Sequence, residues 1–509
     1  MKLPLLCFQT AMRLCLPIFC LSCLHAEETP DFNQRLTGWD QKDGTWEGAR
    51  GELKGEGTPS AKILAKEAEL GDFELEFEIR LDSPEMQAGV LFRTSEAGAG
   101  VDNFQGYYIG LVTGDDHVVW GAGENDWREI ARKPLRVKPG EWTDMKIQAV
   151  GERITAYVNA LPVAEGRFPK FDGLDSVFKR GGYGFRILDG KAMFRNLKLK
   201  KAAPLATGKT YTNPVQSDGA DPVVLKHEGT YYLYCTYTPD FPKMVNGIRL
   251  YTSPDLVKWE DKGYVLKNAD SWGDSRFWAP DIVEKDGVFY LYYATDERMA
   301  VATAKSPLGP FKQKIQAPML PDSIKIDGHV FQDDDGQRYF YYVHFNGRNE
   351  IWGGKLNDDM MTVDESSLKR MLKPDHRWEE DMGRVVEGPE MIKHKGVYYL
   401  TYAGSHFESP NYGVGYATST SPLGPWKKYE FNPIMKSTGY AHGTAHHCLT
   451  TSPDGSEMFI VYHRHNSLTK TEPRQLCIDR IHFVPQTDGE DILEVWGPTS
   501  SPQPIPSAK

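Results

Sequence analysis

Two different strand-like patterns run along this chain, and no helical period of comparable strength accompanies them. From residue 73, Phe73, Leu75, Phe77 and Ile79 alternate with Glu74, Glu76, Glu78 and Arg80. Successive side chains on a strand point to opposite faces, so this alternation predicts a strand with one face buried. Short runs of the same kind follow: AGVLFR, GYYIGLV, DMKIQAV, RITAYVN, GGYGFRI and KAMFRNLKL, punctuated by Gly, Asn and Asp. Strands at this spacing, bounded by turn residues, predict a β-sandwich over residues 27–200.

The second pattern is a repeat. Five times a turn containing glycine (229, 287, 336, 396 and 455) leads into an aromatic strand: HEGTYYLYCTY, KDGVFYLYYAT, DDGQRYFYYVH, HKGVYYLTYAG and PDGSEMFIVYH. Three copies continue into a further strand and a shared turn, in IRLYTSPDLVKWED, MAVATAKSPLGPFKQ and YGVGYATSTSPLGPWKK. A unit of several strands that buries its face only against its neighbours is what a propeller blade needs. The predicted fold is therefore all-β: a five-bladed β-propeller over 212–496, preceded by a β-sandwich over 27–200. Residues 201–211 read as a linker, and the Pro/Ser-rich residues 497–509 as a disordered tail.

Residues 1–26 carry Lys2, an apolar run interrupted by Arg13, and Ala26 before an acidic stretch. This is the pattern of a secretory signal peptide, so the protein is expected to be secreted or periplasmic, with no membrane attachment after cleavage. Four of the seven Cys lie in that segment. Cys235, Cys448 and Cys477 remain, an odd trio too scattered for a disulfide framework. No CxxC pair survives among them, which argues against a structural zinc site. The 59 Lys and Arg stand against 70 Asp and Glu, for a net charge of −11. That balance argues against a nucleic-acid groove or an anionic-membrane surface, both of which need excess positive charge.

The innermost strand of a propeller blade starts near the central axis. Upstream of each aromatic hairpin stands an acid or an imidazole: Asp221, Asp281, Asp327, Glu387 and His446. They are expected at equivalent positions, converging on one face. Carboxylates confined together push their pKa values apart, which is the condition for acid–base hydrolysis of a glycosidic bond. Taken singly, each is equally readable as a turn residue: Asp221 precedes Pro222, Asp327 precedes Gly328, and Glu387 precedes Gly388-Pro389.

At these residues the chain resembles glycoside hydrolase family 43. The matching stretches are DPVVLKHEGTYYLY, SPDLVKWED, FWAPDIVEKDGVFYLYY, SPLGPF, IDGHVFQDDDGQRYFYY, VEGPEMIKHKGVYYLTYAG and RQLCIDRIHF, in the family's order. The resemblance implies Asp221 as general base, Asp327 as the residue that orients the acid and tunes its pKa, and Glu387 as general acid. It implies inversion, with the two reacting carboxyls roughly 6.5–9.5 Å apart to admit a water. It further implies that Trp278 walls the sugar pocket, with a core role as the alternative. Arg474 is expected to reach sugar hydroxyls or the acid, and His446 to stand near the axis. No metal ligand set and no cofactor is required, although the family allows a structural calcium or sodium ion near the axis.

The expected function is a secreted hydrolase of poly- or oligosaccharide, an α-L-arabinofuranosidase or β-xylosidase acting as a monomer on plant or algal xylan or arabinan. An endo-arabinanase or exo-galactanase of the same family is the first alternative. A non-catalytic glycan-binding protein is the alternative of another class. The N-terminal segment resembles the laminin-G/concanavalin-like group, which implies that its sandwich is a jelly-roll β-sandwich. Its Trp39, Trp46, Tyr107, Tyr108, Trp120 and Trp127 fit either a sugar platform or a core.

Overall fold

The structure, a computed structural model, describes residue 32 and residues 35–508 apart from 125, 168–177, 203–207, 237–246, 321–322 and 487–488. The expected signal segment, residues 1–26, and the middle of the expected linker lie outside the described residues. The chain is all-β.

The N-terminal part is one twelve-stranded antiparallel sheet folded over on itself. Its pivot is the long strand Gly182–Lys201. Residues 182–188 of that strand pair with Gln87–Ala97, and residues 192–201 pair with Phe73–Leu81. Asp189, at φ +53°, sits at the break in register and turns the strand from one layer to the other. The inner faces bury Phe73, Leu75, Phe77 and Ile79 as the alternation predicts. The candidate sugar platform is not formed. Trp39, Trp46, Tyr107 and Trp120 belong to the hydrophobic core. Tyr108 is fully buried beneath the Arg186 guanidinium, with Trp127 edge-on to it at 5.8 Å. Large rings fill the space between two curved sheet layers, and that packing outweighs exposure for ligand.

The C-terminal part is a propeller of five blades, each built from consecutive strands. The inner strands are Ala220–His227, Trp278–Lys285, Lys325–Gln332, Val386–His394 and Ala445–Thr451. Four blades have four strands; blade two has three, with Lys312 bridging to Thr303 in place of a fourth. The turn glycines 229, 287, 336, 396 and 455 all adopt φ between +71° and +85°. Only glycine enters this region without steric cost, which explains why each hairpin carries one. The aromatic strands that follow are blade core. Tyr231, Tyr292, Tyr341 and Tyr399 are buried and donate their hydroxyls to the carbonyls of Thr451, Met360, Pro422 and Asp491 at 2.7–2.8 Å. Each bond ties one blade to the next and satisfies a buried polar group.

The ring closes where blade one meets blade five. Val215 and Leu476 exchange backbone bonds with their neighbours across this seam, and the Asn213 side chain donates to the Ile478 carbonyl at 2.9 Å. The expected disordered tail is instead ordered here. Thr499 donates its amide and its hydroxyl to the two oxygens of buried Asp479 at 3.0 and 2.6 Å. Gln503–Pro504 pairs with Thr210–Tyr211 at the end of the expected linker. The Ser, Thr and Pro content that suggests disorder supplies the hydroxyl donors and turns that satisfy a buried carboxylate.

The sandwich docks on the segment that leads into blade five. The Gly439 amide donates to the Ile130 carbonyl at 3.0 Å, and Tyr440 packs against the sandwich core. Arg136 pairs with Glu430 at 2.6 Å and lies over the Phe431 ring. Cys235, Cys448 and Cys477 are buried and unpaired. Among the described residues no helix is long and apolar enough to cross a membrane.

Candidate active site

Every inner strand is interrupted near its start by the same device. The register slips between Ala220 and Val223, Trp278 and Asp281, Ile326 and His329, Glu387 and Glu390, and Ala445 and His447. At each slip one residue turns left-handed: Asp221 (φ +48°), Ala279 (+41°), Asp327 (+55°), Gly388 (+53°) and His446 (+46°). A bulge of this kind leaves one residue out of the ladder and re-aims its side chain, here toward the axis. The next residue is Pro222, Pro280, Gly328 or Pro389 in four blades. Proline, which cannot donate to a ladder, is at home beside a bulge. Non-glycine residues held left-handed cost energy and collect at functional sites.

The bulges correct one expectation. Acids and imidazoles do not recur at equivalent positions. Asp221, Asp327 and His446 are the left-handed residues themselves. Glu387 stands one position earlier, where blade two has Trp278. Asp281 stands two positions later and faces deeper along the axis, accepting from the Val330 amide at 2.7 Å.

Asp221 is buried, and its Oδ1 accepts from Arg474 Nη1 at 2.7 Å. His446 Nδ1 lies 3.3 Å and His463 Nδ1 3.5 Å from the same oxygen. Burial alone would raise its pKa, but the Arg474 charge beside it holds it well below the usual carboxylate range. The Asp221 amide donates to His463 Nδ1 at 3.1 Å, so that nitrogen carries a lone pair and the ring is neutral. Burial pushes the pKa of both His446 and His463 down, which agrees. Arg474 is itself fixed: Nε donates to Glu472 at 2.9 Å, and the guanidinium lies 5.3 Å from the centre of the Phe407 ring.

Glu387 has the opposite environment. Its pKa is pushed up to about 7, first by burial and further by the Asp221 charge, against the hydrogen bonds it receives. Tyr412 donates its hydroxyl to Oε1 and Asn349 its amide to Oε2, each at 2.8 Å. Asp327 Oδ2 accepts from the Gly388 amide at 3.2 Å, next to Glu387 in the chain. Burial and the charges of Glu387 and Asp221 raise the Asp327 pKa well above its ordinary value. Like charges in a confined site cannot all ionise. The site therefore pairs one carboxylate held ionised with a coupled pair that retains a proton near neutral pH. That is the equipment for moving one proton off a water and another onto a leaving group.

Of the sequence-predicted residues, the structure brings together Asp221, Asp327, Glu387, His446 and Arg474. Trp278 is half-buried; Arg276 stacks over its ring at 5.8 Å and the cluster between blades two and three packs beneath it. Asp333, one of the turn acids beside Asp327, is bound by Lys393 and Tyr398 where the inner strands of blades three and four end. His344 stays outside the carboxylate cluster, against Ser323 and Trp352. Sequence reasoning missed Asn349, Tyr412 and His463. The first two stand in VHFNGRNE and SPNYGVG, at the start of a blade strand and just before one, where no spacing marks them. His463 ends an aromatic strand, where its neighbours are all core.

Asp281 and Glu390 accept from the Val330 and Leu449 amides. Among the described residues no group of three or more His, Cys, Asp or Glu is arranged to hold an ion.

Comparison with known proteins agrees with this chemistry. Residues 211–489 match the model of glycosyl hydrolases family 43. Residues 27–200 match that of a 3-keto-alpha-glucoside-1,2-lyase-like domain. A β-D-galactofuranosidase of Aspergillus niger is 29% identical over 296 residues, 54% of this chain and 82% of that protein. An extracellular exo-α-(1→5)-L-arabinofuranosidase of Streptomyces avermitilis is 28% identical over 293 residues, 52% of this chain and 58% of that protein. A thermostable family-43 glycoside hydrolase of known structure is 39% identical, with a TM-score of 0.53, over 59% of this chain and all of that one. The family model covers more than half of the sequence and includes every blade that contributes a carboxylate; the chain belongs to glycosyl hydrolase family 43, and it is a glycoside hydrolase.

Proposed function

We propose that the protein removes terminal pentose units, α-L-arabinofuranosyl or β-xylosyl, from plant or algal polysaccharide with inversion of configuration. Asp221 is the general base, Glu387 the general acid, and Asp327 the group that keeps the Glu387 proton in place. The observation that carries this reading is the contrast between two buried carboxyls of one site: Arg474 holds Asp221 ionised, while Glu387 is pushed up to about 7. Paired titratable groups whose environments drive their pKa values apart mark the acid and the base.

In this reading Arg474 and His446 line the sugar-binding end, and the half-exposed Trp278 offers its ring to the C–H face of the sugar. The enzyme is an exported monomer that needs no cofactor. The arabinofuranosidase named among the relatives supports the pentose assignment. A second reading, a hexofuranose substrate, is favoured by the galactofuranosidase relative, of which this chain spans 82%. Hydrolysis of 4-nitrophenyl α-L-arabinofuranoside, β-D-xyloside and β-D-galactofuranoside separates these. Turnover of the first or second supports the pentose reading. Turnover of the third alone replaces it, and no hydrolysis of any of them or of arabinan or xylan sinks it.

A further inference from the structure

Below the catalytic carboxylates the axis carries a second polar array. Each member stands two residues after a bulge and reaches the next blade. Asp281 accepts from the Val330 amide at 2.7 Å, His329 Nε2 from Met391 at 3.1 Å, and Glu390 from Leu449 at 3.2 Å. The Cys448 sulfur meets the Val224 amide in the same way. In all four cases the donor stands three residues after the bulge of the receiving blade. Only the seam between blades one and two departs. Val223 occupies the position there, and Thr236 Oγ1 accepts from the Ala279 amide at 2.8 Å instead. Buried acceptors on neighbouring backbones thus hold the inner strands, and with them the bulges, in register.

One link bears directly on chemistry. His329 lies two residues after Asp327, and Met391 lies four after Glu387. Asp327 also grips the Gly388 amide, so blades three and four are joined twice along the acid's own strand, one and four residues after Glu387. His329 Nε2 accepts an N–H, so its ring proton is on Nδ1, and Glu390 Oε2 lies 3.1 Å from that nitrogen. Asp281 stands behind, 3.7 Å from the same nitrogen. The array and Asp327 line one narrow axial cavity.

We propose that His329 and Glu390 are positioning residues for proton donation. Glu390 holds the His329 proton on Nδ1, which leaves Nε2 to hold the Met391 amide and thereby sets Glu387 against Asp327. This inference rests on reading Glu387 as the general acid.

The test uses two substitutions of one residue in the full chain. A glutamine side chain places its amide near the position of imidazole Nε2, whereas an asparagine places it near Nδ1. His329→Gln keeps an acceptor for Met391; His329→Asn keeps only the partner of Glu390. Both are assayed on a dinitrophenyl and a methyl glycoside of the sugar the wild type hydrolyses, with Glu387→Gln as reference and thermal unfolding as the check on folding. A displaced acid matters only where the leaving group needs a proton. His329→Asn is expected to lose on the order of 100-fold in kcat/KM on the methyl glycoside, the scale of a misplacement of about 1 Å. It should stay close to wild type on the dinitrophenyl glycoside, and His329→Gln should recover most of the loss. If the asparagine variant does not fold, Glu390→Gln is expected to show the same leaving-group dependence in weaker form. Equal losses on both substrates, or equal losses for Asn and Gln, overturn the proposal while Glu387→Gln still shows the dependence. If Glu387→Gln shows no such dependence, the acid assignment falls and the positioning role with it.

Discussion

Replacing Glu387 with glutamine keeps the shape of the side chain and removes its charge, so it separates what the site gains from what the fold pays. The carboxyl is buried and its pKa stands at about 7, against 4.5 for an unperturbed glutamate. Raising a pKa by one takes about 1.4 kcal/mol of differential interaction, so keeping this group as an anion in the folded state costs about 3 kcal/mol. Because the folded-state value is raised, the contribution of the protonated group is fully present below the unfolded pKa and is lost as pH rises through about 7. Glutamine never ionises, so it loses nothing. Glu387→Gln should match the wild type in stability near about pH 4 and exceed it by about 3 kcal/mol near about pH 9. Removing one of the charges that bear on Asp327 pushes in the same direction. Denaturant titrations of the full chain at the two pH values read this as a shift in midpoint with an unchanged slope. The same variant should lose on the order of 100- to 10,000-fold in turnover of natural linkages. A stability difference that is the same at both pH values would refute the reasoning, because it would show that burial does not hold this proton.

Arg474→Met should leave Asp221 buried without its cation and move the acid limb of the kcat/KM profile up by about one to three pH units, since activity needs Asp221 ionised. The alkaline limb, where Glu387 loses its proton, should also move up from about 7, but by less, because Arg474 lowers the Glu387 pKa only as the smallest of its causes. Truncation after Gly497 removes both Thr499 donors from buried Asp479 and should destabilise the propeller by about 2–5 kcal/mol, seen in thermal unfolding. Trp46→Ala should cost about 3–5 kcal/mol through its core cavity while leaving polysaccharide binding unchanged. Loss of binding without loss of stability would restore it to a sugar platform.

The blades were legible because each needs a left-handed glycine and an aromatic strand, and both leave a mark every time. Asp221, Asp327 and Glu387 were legible for a different reason: each lies just upstream of an aromatic hairpin, in stretches that resemble the family in its own order. Their spatial arrangement was not, because a shift of one residue along a strand changes where a side chain points, and no pattern announces the bulge. Asn349 and Tyr412 were hidden because each is a single donor brought in from a different strand start, with no repeat to mark it. Ser, Thr and Pro at 497–509 read as disorder because composition does not reveal that Asp479 waits, buried, for two donors. The sandwich aromatics show the reverse limit, since a Trp bound for a core and one bound for a ligand look alike in sequence.

The central claim is that an ionised Asp221 activates water on one face of the sugar while Glu387 protonates the leaving oxygen on the other. Proton NMR of the first-formed sugar, recorded before mutarotation, tests it most directly. The account predicts the anomer opposite to that of the substrate. A product that keeps the substrate's configuration would contradict it, because it would require one of these carboxylates to attack the sugar itself.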